Sequence, residues 1–109
     1  MKKIKFKEFG REHEVCLHAN KYENGNICLC AIENFEPYVN ATTNLVDLPH
    51  MYGFLNVNGS KPLTDELLRL GICSYTGQNI DSGYVTYPLC KFNEEVLSEY
   101  LTPFSSYEI

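Results

Sequence analysis

Hydrophobic and polar residues alternate from Lys3 to Phe9, with Ile4 and Phe6 on one side and Lys3, Lys5 and Lys7 on the other. A two-residue period of this kind marks a half-buried strand. The stretch from Arg11 to Asn34 (REHEVCLHANKYENGNICLCAIEN) continues the pattern as two strands joined at Glu23-Asn24-Gly25. With Gly25 in the left-handed position of a three-residue bulged loop, Tyr22 falls opposite Asn26, Asn20 opposite Cys28 and His18 opposite Cys30. Successive side chains point to opposite faces of a strand. One face therefore receives Val15, Leu17, Ala19, Ile27, Leu29 and Ala31, and the other Cys16, His18, Cys28, Cys30 and Ile32. Gly10-Arg11 predicts a two-residue turn between the first two strands. It sets Phe6 opposite Val15, Ile4 opposite Leu17, Lys7 opposite Glu14, Lys5 opposite Cys16 and Lys3 opposite His18. Both turns select the same apolar face.

Beyond Asn34, Phe35-Glu36-Pro37 is expected to interrupt the ladder, since proline cannot donate to it. Tyr38 to Val46 reads as a further strand and Tyr52 to Val57 as a short one. A helix is predicted from Pro62, with Leu63, Leu67, Leu68 and Leu70 as its apolar stripe and Gly71 as its C-terminal cap. Thr76 to Gly83 (TGQNIDSG) is dense in turn formers and reads as a loop. Tyr84 to Phe92 reads as an edge strand because of Pro88. Asn93 is placed to cap a second helix whose buried stripe is Val96, Leu97, Tyr100 and Leu101, with Glu94, Glu95 and Glu99 facing water. Pro103 stops it, and Phe104 to Ile109 is expected to fray. The order of elements predicts an α+β domain: a twisted antiparallel sheet of about five or six strands with two helices packed on one face.

Composition narrows the classes. A chain of 109 residues that is 44% hydrophobic is expected to form one domain, residues 1–109, with a single core. No apolar run approaches the roughly 20 residues of a membrane span, so a cytoplasmic location is expected, where thiols stay reduced. Five cysteines, an odd number, argue against a closed disulfide framework. A net charge of −5 disfavours direct nucleic-acid binding and suits docking on a basic protein surface.

Three sets of residues carry candidate chemistry. Cys16, His18, Cys28 and Cys30 place four zinc-ligand types on neighbouring strands, and a structural Zn2+ is one reading of that face. Its alternative is a set of small apolar side chains covered by the tail, a loop or a second subunit. Against zinc, two cysteines separated by one strand residue lie roughly 6.6 Å apart at their Cα atoms. A reactive-thiol reading rests on Cys16 opposite Lys5 with His18 two residues on. No orienting acid or oxyanion donor accompanies it, and the protein is not expected to be an enzyme. The late tyrosines, Tyr75, Tyr84, Tyr87, Tyr100 and Tyr107, with nearby carboxylates, suggest a protein-binding surface.

The segments KFKEFGREHEV and YTGQNIDSGYVTYPLCKFNEEVL, most specifically Ser82-Gly83, Thr86-Tyr87-Pro88-Leu89 and Phe92-Asn93, resemble an uncharacterised family of small proteins. Its members occur on Firmicute plasmids, phages and conjugative elements. The resemblance implies an accessory gene of mobile DNA and brings no catalytic residues. In size and charge the chain also resembles anti-CRISPR proteins that inhibit Cas9-type nucleases. That likeness implies a stoichiometric inhibitor in the bacterial cytoplasm, docking on a basic lobe and blocking nucleic-acid loading. The candidate contacts are Asp81, Tyr84, Tyr87, Glu94, Glu95 and Glu99. A DNA-mimic anti-restriction protein and a small zinc-stabilised interaction module with no defence role are the alternatives.

Overall fold

The computed structural model describes residues 1–105 and is a mixed α+β structure with mostly antiparallel strands. Strands β1 (Ile4–Glu8), β2 (Arg11–Lys21), β3 (Ile27–Glu33) and β4 (Glu36–Asn40) form a first sheet in chain order. Strands β5 (Thr42–Thr43), β6 (Tyr52–Leu55), β7 (Cys73–Ser82) and β8 (Val85–Phe92) form a second, in the order β5-β6-β8-β7. Helix α1 (Lys61–Arg69) precedes β7 and helix α2 (Glu94–Ser98) follows β8.

Two sheets of four replace the expected sheet of five or six strands. The division falls at Ala41, inside the stretch read as one strand from Tyr38 to Val46. The Ala41 N–H donates to the Leu29 carbonyl at 2.7 Å, while its own carbonyl accepts from the Asn56 N–H at 3.0 Å. The chain thus passes from one ladder to the other at a single residue. Thr42 replaces the strand partner that β3 loses there. Its hydroxyl accepts from the Leu29 N–H and donates to the Ile27 carbonyl, each at 3.1 Å. Alternation reports which face a residue takes and does not report which ladder its strand joins. Pro37 does not end the first sheet. It lies opposite Ile32 in edge strand β4, where a missing donor is tolerated, and a register shift follows at Ala31/Ile32.

The β2–β3 register is the expected one, with His18 opposite Cys30 and Asn20 opposite Cys28. Gly25 has φ +89°, and the Tyr22 N–H donates to the Asn26 carbonyl at 2.9 Å. The β1–β2 register differs by two residues: Ile4 faces Val15, Lys5 faces Glu14, Phe6 faces His13 and Lys7 faces Glu12. The turn is Phe9-Gly10, with φ +54° and +74°, as a type I′ turn requires at both central positions. Because the offset is even, every side chain keeps its expected face.

One core cluster draws on both sheets and both helices. Ile4, Phe6, Val15, Leu17 and Leu29 come from the first sheet, Leu55, Cys90 and Phe92 from the second, Leu63 and Leu67 from α1, and Leu97 from α2. Helix α1 starts at Ser60, whose hydroxyl accepts from the Leu63 N–H, and stops before Gly71 at φ +73°. Asn93 caps α2 by accepting from the Val96 N–H at 3.1 Å. After α2 the chain returns to β2. Leu101 bridges to Leu17 in parallel, the Leu17 N–H donates to the Tyr100 carbonyl at 2.9 Å, and the Thr102 N–H donates to the Leu17 carbonyl at 2.8 Å. This segment occupies the edge of β2 beyond the last residue paired with β1. Of the end expected to fray, Phe104 and Ser105 are described, Ser105 Oγ accepting from the Ala19 N–H at 3.0 Å, while residues 106–109, Tyr107 among them, lie outside the described residues.

Candidate functional site

The cysteine face is half-buried, and its covering segment is the strand-like return after α2. His18 is committed there: its Nδ1 lies 3.1 Å from the Thr102 hydroxyl, and the neighbouring Ala19 N–H donates to Ser105 Oγ at 3.0 Å. Cys16 lies opposite Ile32, with its Sγ 3.9 Å from that carbonyl, and Cys30 has its Sγ 3.6 Å from the Ala31 carbonyl. Burial, then the neighbouring Cys28, pushes the Cys30 thiol up. Among the described residues no three His, Cys, Asp or Glu side chains converge as metal ligands. Cys16, His18, Cys28 and Cys30 share a face without forming a tetrahedron. The expected Lys5–Cys16 pairing is also absent, because the two-residue offset puts Lys5 opposite Glu14. Cys73 and Cys90 are buried in the core. The hydrogen bond to Cys90, and then burial, push the Cys73 thiol up, so this pair reads as packing.

The six candidate partner contacts divide into two groups. Thr76 to Gly83 is not a loop. Thr76 to Ser82 belongs to β7, which pairs with β8 to form an arm ending in a turn at Gly83-Tyr84, with Ser82 opposite Val85. Three residues, 76–78, interrupt the ladder, and Gly77 takes φ +91°. Asp81 and Tyr84 are exposed on this arm and Tyr87 is half-buried. Thr86 Oγ1 donates to Asp81 Oδ1 at 2.6 Å. Glu94 and Glu95 are exposed in the first turn of α2 and Glu99 is exposed at its C-terminal cap, and the helix has no basic residue in its last turn. Tyr84 stands eight residues of strand from Phe92, up to about 26 Å of extended chain. Arm and helix are therefore separate surfaces.

A third centre escaped the sequence reading. His13 is 3% exposed and sits against two rings, stacked on Phe6 at 5.3 Å between centroids and tilted against Tyr38 at 4.6 Å. Its Nδ1 lies 3.1 Å from both oxygens of Glu33, and its Nε2 lies 3.3 Å from the Glu8 carbonyl. The hydrogen bond from His13, the Glu14 N–H and the Arg11 guanidinium together hold the Glu33 carboxyl below its ordinary value, outweighing burial. Tyr38 OH donates to Glu8 Oε1 at 2.7 Å, and Ser60 Oγ donates to the same oxygen at 3.0 Å. Burial first, then the bond to Glu8, pushes the Tyr38 phenol up to about 12. Four strands and the start of α1 meet in this network. With both ring nitrogens engaged and the Ser60 hydroxyl bound to Glu8, the arrangement serves as a clasp and presents no activated nucleophile. The available signal was parity: residue 13 shares the face of Val15 and Leu17.

A family model described as a domain of unknown function, DUF4313, matches residues 16–106. The chain belongs to the DUF4313 family. No curated protein and no solved structure is significantly similar to it. The DUF4313 match takes in the cysteine face, Glu33, Tyr38, the β7–β8 arm and α2, and leaves out β1, Arg11 and His13. The clasp of this DUF4313 protein therefore spans the edge of the matched region, with its histidine outside and its carboxylate partner inside. Among the described residues no helix is long and apolar enough to cross a membrane.

Proposed function

We propose that this DUF4313 protein works by binding another protein and performs no catalysis of its own. The specific target we propose is a host defence nuclease, of the Cas9 type, whose nucleic-acid loading it blocks in the bacterial cytoplasm. The observation that carries the reading is the acidic ridge formed by Glu94 and Glu95 of α2 and Glu99 at its C-terminal cap, all exposed. Glu99 pairs with Lys2 at 3.2 Å. A ridge of that sign suits the basic channel of a nucleic-acid enzyme. The mobile-element resemblance of residues 75–97, which include Glu94, Glu95 and most of the arm, supplies the choice of target. Asp81, Tyr84 and Tyr87 lie on the separate arm, so the proposal rests on the ridge.

A cleavage assay with Cas9 and guide RNA decides the matter. Equimolar protein is expected to suppress cleavage, and a variant with Glu94, Glu95 and Glu99 all changed to lysine is expected to need at least about tenfold more. Complete cleavage in the presence of a large excess of wild-type protein would falsify the nuclease target. A restriction digest run in parallel separates the DNA-mimic alternative, which inhibits that enzyme instead. The zinc-module alternative requires His18 to leave Thr102 and the four side chains to converge. A fold that depended on zinc would melt lower in excess chelator and would carry metal by elemental analysis.

A further inference from the structure

The outer half of the β7–β8 arm carries apolar side chains on the face that points away from the core. At the root of β8, even-numbered positions face inward, and Cys90 and Phe92 belong to the core cluster. Further out the apolar residues occupy odd positions, Leu89, Tyr87 and Val85, with Ile80 opposite Tyr87 on β7. Alternation places these four on the opposite face from Cys90 and Phe92. All four are half-buried. Phe54, opposite Leu89 on the same face, is buried yet stands apart from the main cluster. An apolar strip thus begins on the second sheet and runs out along the arm. The reverse face carries Asn79, Asp81 and Thr86. A two-stranded ribbon is marginal on its own in water, and a contiguous apolar strip of this kind marks an interaction surface.

Charge selects the occupant. The chain carries −5, yet between Cys73 and Cys90 its only charged residue is Asp81, which lies on the reverse face. The strip is where two copies of an acidic protein approach with least like-charge repulsion, and it offers no charge to a basic partner. A projecting ribbon can also be paired with its own copy about a two-fold axis, which makes the contact self-complementary. We propose that the protein self-associates through its arms, with Ile80, Val85, Tyr87 and Leu89 of one copy packed on the same residues of a second. Four half-buried side chains from each copy make a small contact, so a weak association is expected, read at micromolar concentrations and above. It is independent of the acidic ridge and of any nuclease target.

Analytical ultracentrifugation of the full chain from about 1 to 300 μM reads this directly. The mass is expected to rise with concentration from one chain towards two. Tyr87→Lys is expected to remove the rise, while Thr86→Lys, the same charge on the reverse face, keeps it. A wild-type protein that stays a single chain across the range overturns the proposal, and so does equal loss in both variants. Hydrogen exchange on the unsubstituted protein supplies a readout free of folding defects. Amides of residues 79–87 are expected to gain protection as concentration rises while those of α2 do not, and unchanged protection along the arm overturns self-association.

Discussion

His13 exchanges water for Glu33 and the Glu8 carbonyl and is closed in by Phe6 and Tyr38. His13→Ala removes a packed ring and strips Glu33 of its main donor. A loss of about 3 kcal/mol is expected by chemical denaturation. A carboxyl held below its ordinary value of 4.5 adds stability above that pH and loses it as pH falls through the folded value. Stability is therefore expected to decline on the acid side of 4.5, and Glu33→Gln to flatten the decline; parallel curves for the two proteins would contradict the assignment. Tyr38 runs the other way. Its phenol is raised from 10.0 to about 12, so its contribution is complete below 10.0 and fades as pH climbs towards 12. Tyr38→Phe should delete one late-ionising phenol from the alkaline absorbance titration. Phe9 and Phe35 stand at φ +54° and +66°, 90% and 101% exposed, where asparagine or glycine is the usual occupant. Phe9→Asn is expected to raise stability by about 1 kcal/mol, measured as a higher melting temperature. A lower one would mean that the ring makes a contact worth more than the relief of its backbone.

At the scale of elements, the strand pattern was readable wherever one face is buried. Val15, Leu17, Ala19, Ile27, Leu29 and Ala31 all lie in the core, and Cys16, His18, Cys28 and Cys30 on the reverse face. Three features were not readable, for different reasons. The β1–β2 turn could be placed at Phe9-Gly10 or Gly10-Arg11 with the same parity, and phenylalanine at positive φ is not a turn signal. β7 has almost no apolar alternation because most of it is exposed on both faces, so its turn formers read as a loop. The caps at Asn93 and Gly71 were legible because they satisfy local backbone groups and need no tertiary information. The return segment after α2 was not, since it pairs with β2 across more than eighty residues of sequence. Thr102→Pro removes the N–H that meets Leu17 and should cost about 1–3 kcal/mol. It also uncovers part of the β2 edge, so greater aggregation on heating is the accompanying expectation.

At the scale of the molecule, charge is sorted along the chain. Lys2, Lys3, Lys5, Lys7 and Arg11 stand against Glu8 alone in the opening eleven residues, while acidic residues dominate the remainder. The lysines of β1 are largely answered across the strand pair, Lys5 near Glu14 and Lys7 near Glu12, each at 4.0 Å. Exposed pairs of that length contribute little to stability, yet they leave the α2 ridge as the stronger unbalanced field. Binding through that ridge is expected to weaken steeply with added salt, and a titration of complex formation against ionic strength would show it; salt-independent binding would point to the arm instead. The candidate surfaces were legible as types, acidic and tyrosine-bearing. Their separation was not, because strand pairing alone sets the reach of the arm.

The stitch between Leu17 and Thr102 also sets an order of events. The Leu17 carbonyl, near the beginning of the chain, waits for a hydrogen-bond donor 85 positions further on. While the protein emerges from the ribosome, that part of β2 can be finished only after the residues around Thr102 have been made. Until then an apolar strand with an open edge must be kept from pairing with its neighbours on the same messenger. Slow translation late in the gene would lengthen that exposure, and cells short of holding chaperones would be expected to yield less of the protein in soluble form.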